Sequence, residues 1–228
     1  MVEAAVIAGL LSGIIWMFGD IFLVGFAPDA NKYTDYLKNL PVKEKKFAYY
    51  MLEGSVKRFR AGALCGFFGA PFMLFSLYSQ YALSVPSFWS AAALVLLGAG
   101  FTLSPPAHIA FYYVGVESKN LYETYKSGEK ISADAVGTFD EYVKFLFITW
   151  FSAIGATASG WIIFSVLIFA GQTEMPWFFG FFTPIFIVPA LAVLRKYTKI
   201  GSPYLDGAGF NVAFILFFIA VLIFISVS

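Results

Sequence analysis

Six apolar runs divide the chain, at about 4–26, 61–81, 88–115, 143–170, 177–194 and 208–227. A helix needs about 20 predominantly apolar residues to cross a hydrocarbon layer of roughly 30 Å, so each run is read as a transmembrane helix. The third and fourth are longer than one crossing requires, and are expected to tilt, kink or project from the bilayer. Pro105-Pro106 marks the expected kink in the third, because proline removes a backbone donor and crowds the preceding turn.

The charges test this division. With six spans, segments 27–60, 116–142 and 195–207 share one side, and all 15 Lys and Arg residues lie there or at its boundary. The opposite side holds 82–87, 171–176 and both short tails, with only Glu3 and Glu174 as charges. The positive-inside rule makes the first side cytoplasmic and places both termini outside. Trp89 and Trp177 begin the third and fifth runs on the outer side, where an interfacial belt is expected. Residues 1–26 make a poor signal peptide, lacking a basic start and carrying Asp20 in the apolar stretch. The predicted fold is all-α: one six-span domain over 1–228, multi-pass in a plasma or inner membrane.

Composition narrows the function classes. Only 13% of the 228 residues are charged, about half the share of a soluble domain. A net charge of +1 gives no reason to expect nucleic acid as a partner. Cys65 is the only cysteine and His108 the only histidine, so an intrachain disulfide is excluded and no metal or other cofactor is expected. Cys65 reads as a small packing residue between helices.

Two cytoplasmic stretches carry helical signals. In 44–60, Phe47, Met51, Val56 and Phe59 fall near one face, as in an interfacial helix leading into the second span. Between 116 and 142, Asn120–Tyr125 reads as a short helix ended by Ser127-Gly128. Thr138-Phe-Asp-Glu141 then reads as a capping box opening the fourth span. No internal repeat is visible.

Asp20 is the most informative residue. An intramembrane carboxylate costs a few kcal/mol even on lenient scales, so it should face the bundle interior beside a partner. Its helix offers a stripe of Ala5, Gly9, Ser12, Gly13, Trp16 and Asp20. Asp20 and His108 lie about 9 Å and about 10 Å, respectively, from the cytoplasmic ends of their runs, so they can meet. Asn211, Thr149, Ser152 and Arg60 belong to the same layer, with Tyr204 and Asp206 just outside the last run. The competing reading is structural: Asp20 as a packing carboxylate, Thr149 and Ser152 bonded to their own preceding turns, and Asn211 joining helices. No intramembrane lysine suits a Schiff base, and no phosphate-binding loop, zincin motif or nucleophile elbow occurs. Gly9-x-x-x-Gly13 is a weak helix-pairing pattern.

Gly19-Asp20-Ile-Phe-Leu, Arg58-Phe-Arg60-Ala-Gly-Ala with Gly66 and Pro71, and Pro106-Ala-His108 together resemble a family of uncharacterised bacterial multi-spanning membrane proteins, a domain of unknown function. The resemblance covers the first half of the chain. It implies an inner-membrane protein in which Asp20, Arg60 and His108 belong together, and it supplies no activity.

Three functions fit these residues. The first is a cytoplasm-facing intramembrane polar pocket that binds or moves a small or amphipathic molecule. Asp20 and His108 would form its polar core, Arg60 would contact an anion, Asn211 would orient the ligand, and Thr149 and Ser152 would complete the ligand-binding set. The second is a membrane-embedded enzyme using Asp20 and His108 as an acid–base pair on a lipid-like substrate. The third is a non-catalytic subunit packed against a membrane-protein partner or a second copy, with membrane lipids around it. The apolar outer stretches 177–182 and 217–226 count against an ion channel.

Overall fold

The computed structural model describes residues 1–227. Eight α-helices carry the chain: α1 Val2–Val24, α2 Thr34–Asn39, α3 Lys45–Tyr50, α4 Val56–Ala82, α5 Phe88–Lys126, α6 Ala133–Phe169, α7 Pro184–Thr198 and α8 Gly209–Val227. Short 3₁₀ turns at Ala30–Tyr33, Met51–Glu53 and Trp177–Phe182 link them, and the described residues contain no strand. Five helices, α1, α4, α5, α6 and α8, are long and apolar enough to cross a membrane. The architecture is that of a multi-pass membrane protein.

The long helices pack in a ring. α1 lies on α4 and α8, α4 on α5, α5 on α6, and α7 on α8 and more lightly on α6. Met1, Leu83, Glu174 and Ile225 line one recess, so the N-terminus, two turns and the end of α8 share one end of the bundle. Backbone bonds from Val85 N to Gln172 O and from Glu174 N to Leu83 O, both 2.9 Å, tie the two turns together there. The segments rich in lysine and arginine gather at the other end, called the basic end below.

Local chemistry sets the helix ends. Ser55 and Ser132 accept from the backbone N–H groups of Arg58 and Ala135, opening α4 and α6. Ser87 and Ser90 exchange reciprocal side-chain bonds at the start of α5, a capping box with serine in the place usually held by Glu or Gln. Gly128, at φ 77°, follows α5 in the left-handed region where L side chains are strained.

Three expectations need correction. Thr138 does not cap the fourth span, because α6 begins five residues earlier at Ala133, capped by Ser132, and passes through Thr138-Glu141. Residues 44–60 are not one interfacial helix: α3 ends at Tyr50, a 3₁₀ turn follows, and Gly54-Ser55 are extended before α4. Met51 and Phe59 are fully buried but Val56 is exposed. The fifth run is not one helix either. Its first six residues are 3₁₀, and Thr183 is extended at ψ 150° because Pro184 follows it. Asn120–Tyr125, by contrast, is helical as expected, as the end of α5 rather than a separate piece.

At 1.5 Å per residue, α5 and α6 run roughly 58 and 55 Å, nearly twice a hydrocarbon core. Their surplus length stands at the basic end, where α2 and α3 pack against it. The result is two hydrophobic cores. One gathers Trp16, Phe101, Trp161, Phe164, Phe217 and Phe218. The other, at the basic end, gathers Leu23, Tyr36, Phe59, Val114, Leu121 and Phe139. On α1 they are divided between Trp16 and Leu23, and on α5 between Phe101 and Ala110. Asp20 and His108 fall in that interval.

Candidate functional site

Glycines in α4 bring the site together. A Cβ on Gly66 would lie 2.5 Å from His108 Cβ, and one on Gly62 would lie 2.8 Å from the Gly19 carbonyl oxygen. Without side chains at these positions, α1 and α5 both close onto α4. Exposed α4 carbonyls then accept from α1: Trp16 Nε1 donates to Gly66 O at 2.9 Å, and Ser12 Oγ to Gly69 O at 2.7 Å. Trp16 is thereby fixed one turn before Asp20.

Asp20 holds two partners at once. Its Oδ2 accepts from Asn211 Nδ2 at 2.6 Å, across 191 residues of sequence, and its Oδ1 lies 3.4 Å from His108 Nε2. The second approach is a close contact without a formed hydrogen bond, since Nε2 has no hydrogen-bond partner. His108 Nδ1 lies 2.9 Å from the Ser104 carbonyl oxygen. Pro105 and Pro106 lack the N–H groups that would bond the carbonyls one turn earlier, so the helix is open at this level.

The three side chains line a cavity of about 630 Å³. Each wall is a stripe at helical spacing: Trp16, Asp20 and Val24 from α1, and Phe210, Asn211 and Phe214 from α8. α5 gives Phe101, Ser104, His108 and Phe111, and α6 gives Trp150, Ala153, Ile154 and Thr157. α3 contributes Lys46, Phe47 and Tyr50 at the basic end, and Asp206 also lines the cavity. Tyr50 donates to Val24 O at 2.6 Å, and burial pushes its hydroxyl pKa up, so it stays a neutral donor. The opposite end is closed by rings. Trp16 meets Phe101 edge-on at 6.1 Å, and Phe101 meets Phe214 edge-on at 5.8 Å.

The structure places the other candidates elsewhere. Arg60 is exposed and does not line the cavity. Thr149 is buried but bonds Phe145 O and Leu146 O of its own helix, and Ser152 is exposed. The basic residue that does engage α1 is Arg58. It donates to Ile21 O and, at 2.8 Å, to Gly25 O, with its guanidinium 4.8 Å from the Phe26 ring. These bonds satisfy carbonyls at the C-terminal end of α1, where a cation is also favoured by the helix dipole. Thr157, Ser104 and Lys46 were not legible as lining residues from polarity alone. Thr157 lies seven residues after Trp150 on one α6 stripe, and that spacing was the available signal.

Comparison with known proteins adds a family without an activity. The profile of a family described as one of unknown function matches residues 1–227, so the relationship extends well beyond the first half of the chain. No curated protein and no solved structure matches.

Proposed function

Since the chain belongs to a family of unknown function (DUF6796), which carries no substrate or reaction with it, we propose from its geometry that it is a six-span membrane protein binding a small amphipathic molecule in a cavity open toward the cytoplasm. The observation that carries this reading is a single carboxylate cluster, Asp20 with Asn211 and His108, set in the wall of an otherwise largely apolar cavity. A volume of about 630 Å³ is within the range of small-molecule sites, which are mostly apolar with a few convergent polar groups. The distribution of lysine and arginine supports the orientation, with both termini outside. In that orientation the 3₁₀ segment and α7 together make the sixth crossing.

Acid–base catalysis is the weaker reading. Both ring nitrogens of His108 face protein groups, Nδ1 the Ser104 carbonyl and Nε2 the Asp20 carboxylate, which leaves neither aimed at a substrate. A through-channel is weaker still, because Trp16, Phe101 and Phe214, each at most 3% exposed, close the far end.

Native mass spectrometry of chain purified gently from membranes tests the binding function. The wild type should carry a small-molecule adduct that Ala153→Trp, which fills the cavity, does not retain. Equal adducts on both proteins, or none on the wild type together with a density map showing only water between Asp20 and Asn211, would end this reading.

A further inference from the structure

The chemistry of the cavity wall selects a charge. Nine of the lining residues are Phe, Trp or Tyr, and the charged side chains among the lining are Asp20, within the cavity wall, and Lys46 and Asp206 at the basic end. Aromatic faces carry negative electrostatic potential and attract cations, more strongly where water is excluded. Lysine and arginine, which favour an anion at every ordinary pH, are absent from the interior, and His108 is turned to Asp20. Lys46 is an exposed residue of the basic-end lining, and Arg58 is committed to carbonyls of α1. Arg60, the anion-contacting candidate from sequence, is outside the cavity.

The carboxylate is also incompletely partnered. Asn211 satisfies Oδ2, but Oδ1 has only the 3.4 Å approach of His108 Nε2, a buried nitrogen without a hydrogen bond. The Asp20 side chain keeps 19% of its surface accessible. A carboxylate with a spare oxygen, in a cavity lined by aromatic residues, has the features of a receptor for a hydrophobic organic cation. Resting on the binding function proposed above, we infer that the ligand is such a cation, an amine or onium compound with apolar substituents. Its charged centre sits against Asp20 Oδ1, and its substituents lie among Phe101, Phe111, Trp150 and Phe214. A zwitterionic aminolipid headgroup fits less well, because its phosphate would find no lysine or arginine beside Asp20.

Two ions of the same shape and opposite charge separate the alternatives. The full chain in dodecyl maltoside micelles is equilibrated with radiolabelled tetraphenylphosphonium or tetraphenylborate, and binding to empty micelles is subtracted. The phosphonium should bind saturably and the borate should neither bind comparably nor displace it. Asp20→Asn should weaken phosphonium binding on the order of tenfold or more, the range for losing an interaction with a charged group. Trp150→Leu should weaken it by roughly threefold to tenfold, and this variant decides the matter if Asp20→Asn does not yield folded protein. Added phosphatidylethanolamine should not compete. Equal binding of the two ions, or full phosphonium affinity in the folded Asp20→Asn protein, overturns the cation assignment. So does competition by the aminolipid. None of these results touches the binding function itself, which stands or falls on the adduct carried by the wild type and lost from Ala153→Trp.

Discussion

At the scale of single residues, the site depends on what is absent from α4. Gly66→Ala would set a methyl group 2.5 Å from His108 Cβ, on a helix that cannot retreat because Trp16 bonds the same glycine's carbonyl. The expected cost is about 1–3 kcal/mol, as for overpacking elsewhere, read as a lowered melting midpoint in detergent. Gly155→Ala is the control: nothing lies within 4 Å of its added carbon, and the change should be neutral or mildly stabilising. The two arginines of Arg58-Phe-Arg60 should separate as clearly. Arg58→Ala removes the donor to the Gly25 carbonyl and a second donor to Ile21 O, which keeps its bond from Gly25 N, and should cost about 1–3 kcal/mol, whereas Arg60→Ala should stay within about 0.5 kcal/mol. Similar losses from both would mean that Arg58 does not hold the end of α1. The sequence pattern favoured Arg60 because it stands nearer the apolar run. Two residues turn a helix by about 200°, so only one of the pair can face α1, and hydropathy does not say which. Asp20 and His108 were legible for the opposite reason: each is the only group of its kind within a long apolar run, and counting turns gave their depths.

At the scale of elements, length was legible and boundaries were not. Apolar runs located α1, α4 and α8 closely, because lipid-facing helices must be apolar on every side. They underestimated α5 and α6, whose ends at the basic end are amphipathic and pack against α2 and α3, so hydropathy falls while the helix continues. That continuation is what displaced the cap from Thr138 to Ser132. Ser132→Ala and Ser87→Ala should each cost about 1 kcal/mol in melting experiments, while Thr138→Ala, now within a helix, should cost less than half of that. A larger loss at Thr138 than at Ser132 would restore the shorter helix. The fifth run misled because hydropathy ignores proline. Pro176 and Pro184 bracket the 3₁₀ stretch, and Thr183, restricted by Pro184, is the joint between that stretch and α7.

At the scale of the whole molecule, orientation is open to direct measurement. Cysteines introduced into 28–56, 118–135 and 197–206 should be shielded from an impermeant thiol reagent in intact cells, and cysteines at Ser84 or Gln172 should react. Labelling at position 130 from outside would invert the topology. The division into two cores carries a thermodynamic consequence as well. Trp161, Phe164 and Phe217 are packed away from acyl chains, whereas Tyr36, Leu121 and Phe139 lie in the extension of α5 and α6 beyond a hydrocarbon thickness. Loosening the first group in a bilayer hydrates little apolar surface, so it adds little to the heat capacity of unfolding. Loosening the second hydrates rings and adds heat capacity as in a water-soluble domain. Calorimetry should therefore give a total increment per residue below the roughly 12–15 cal/mol/K of soluble proteins. Urea should dismantle the basic end first, in a separate transition, while the ring around Asp20 stays assembled in lipid.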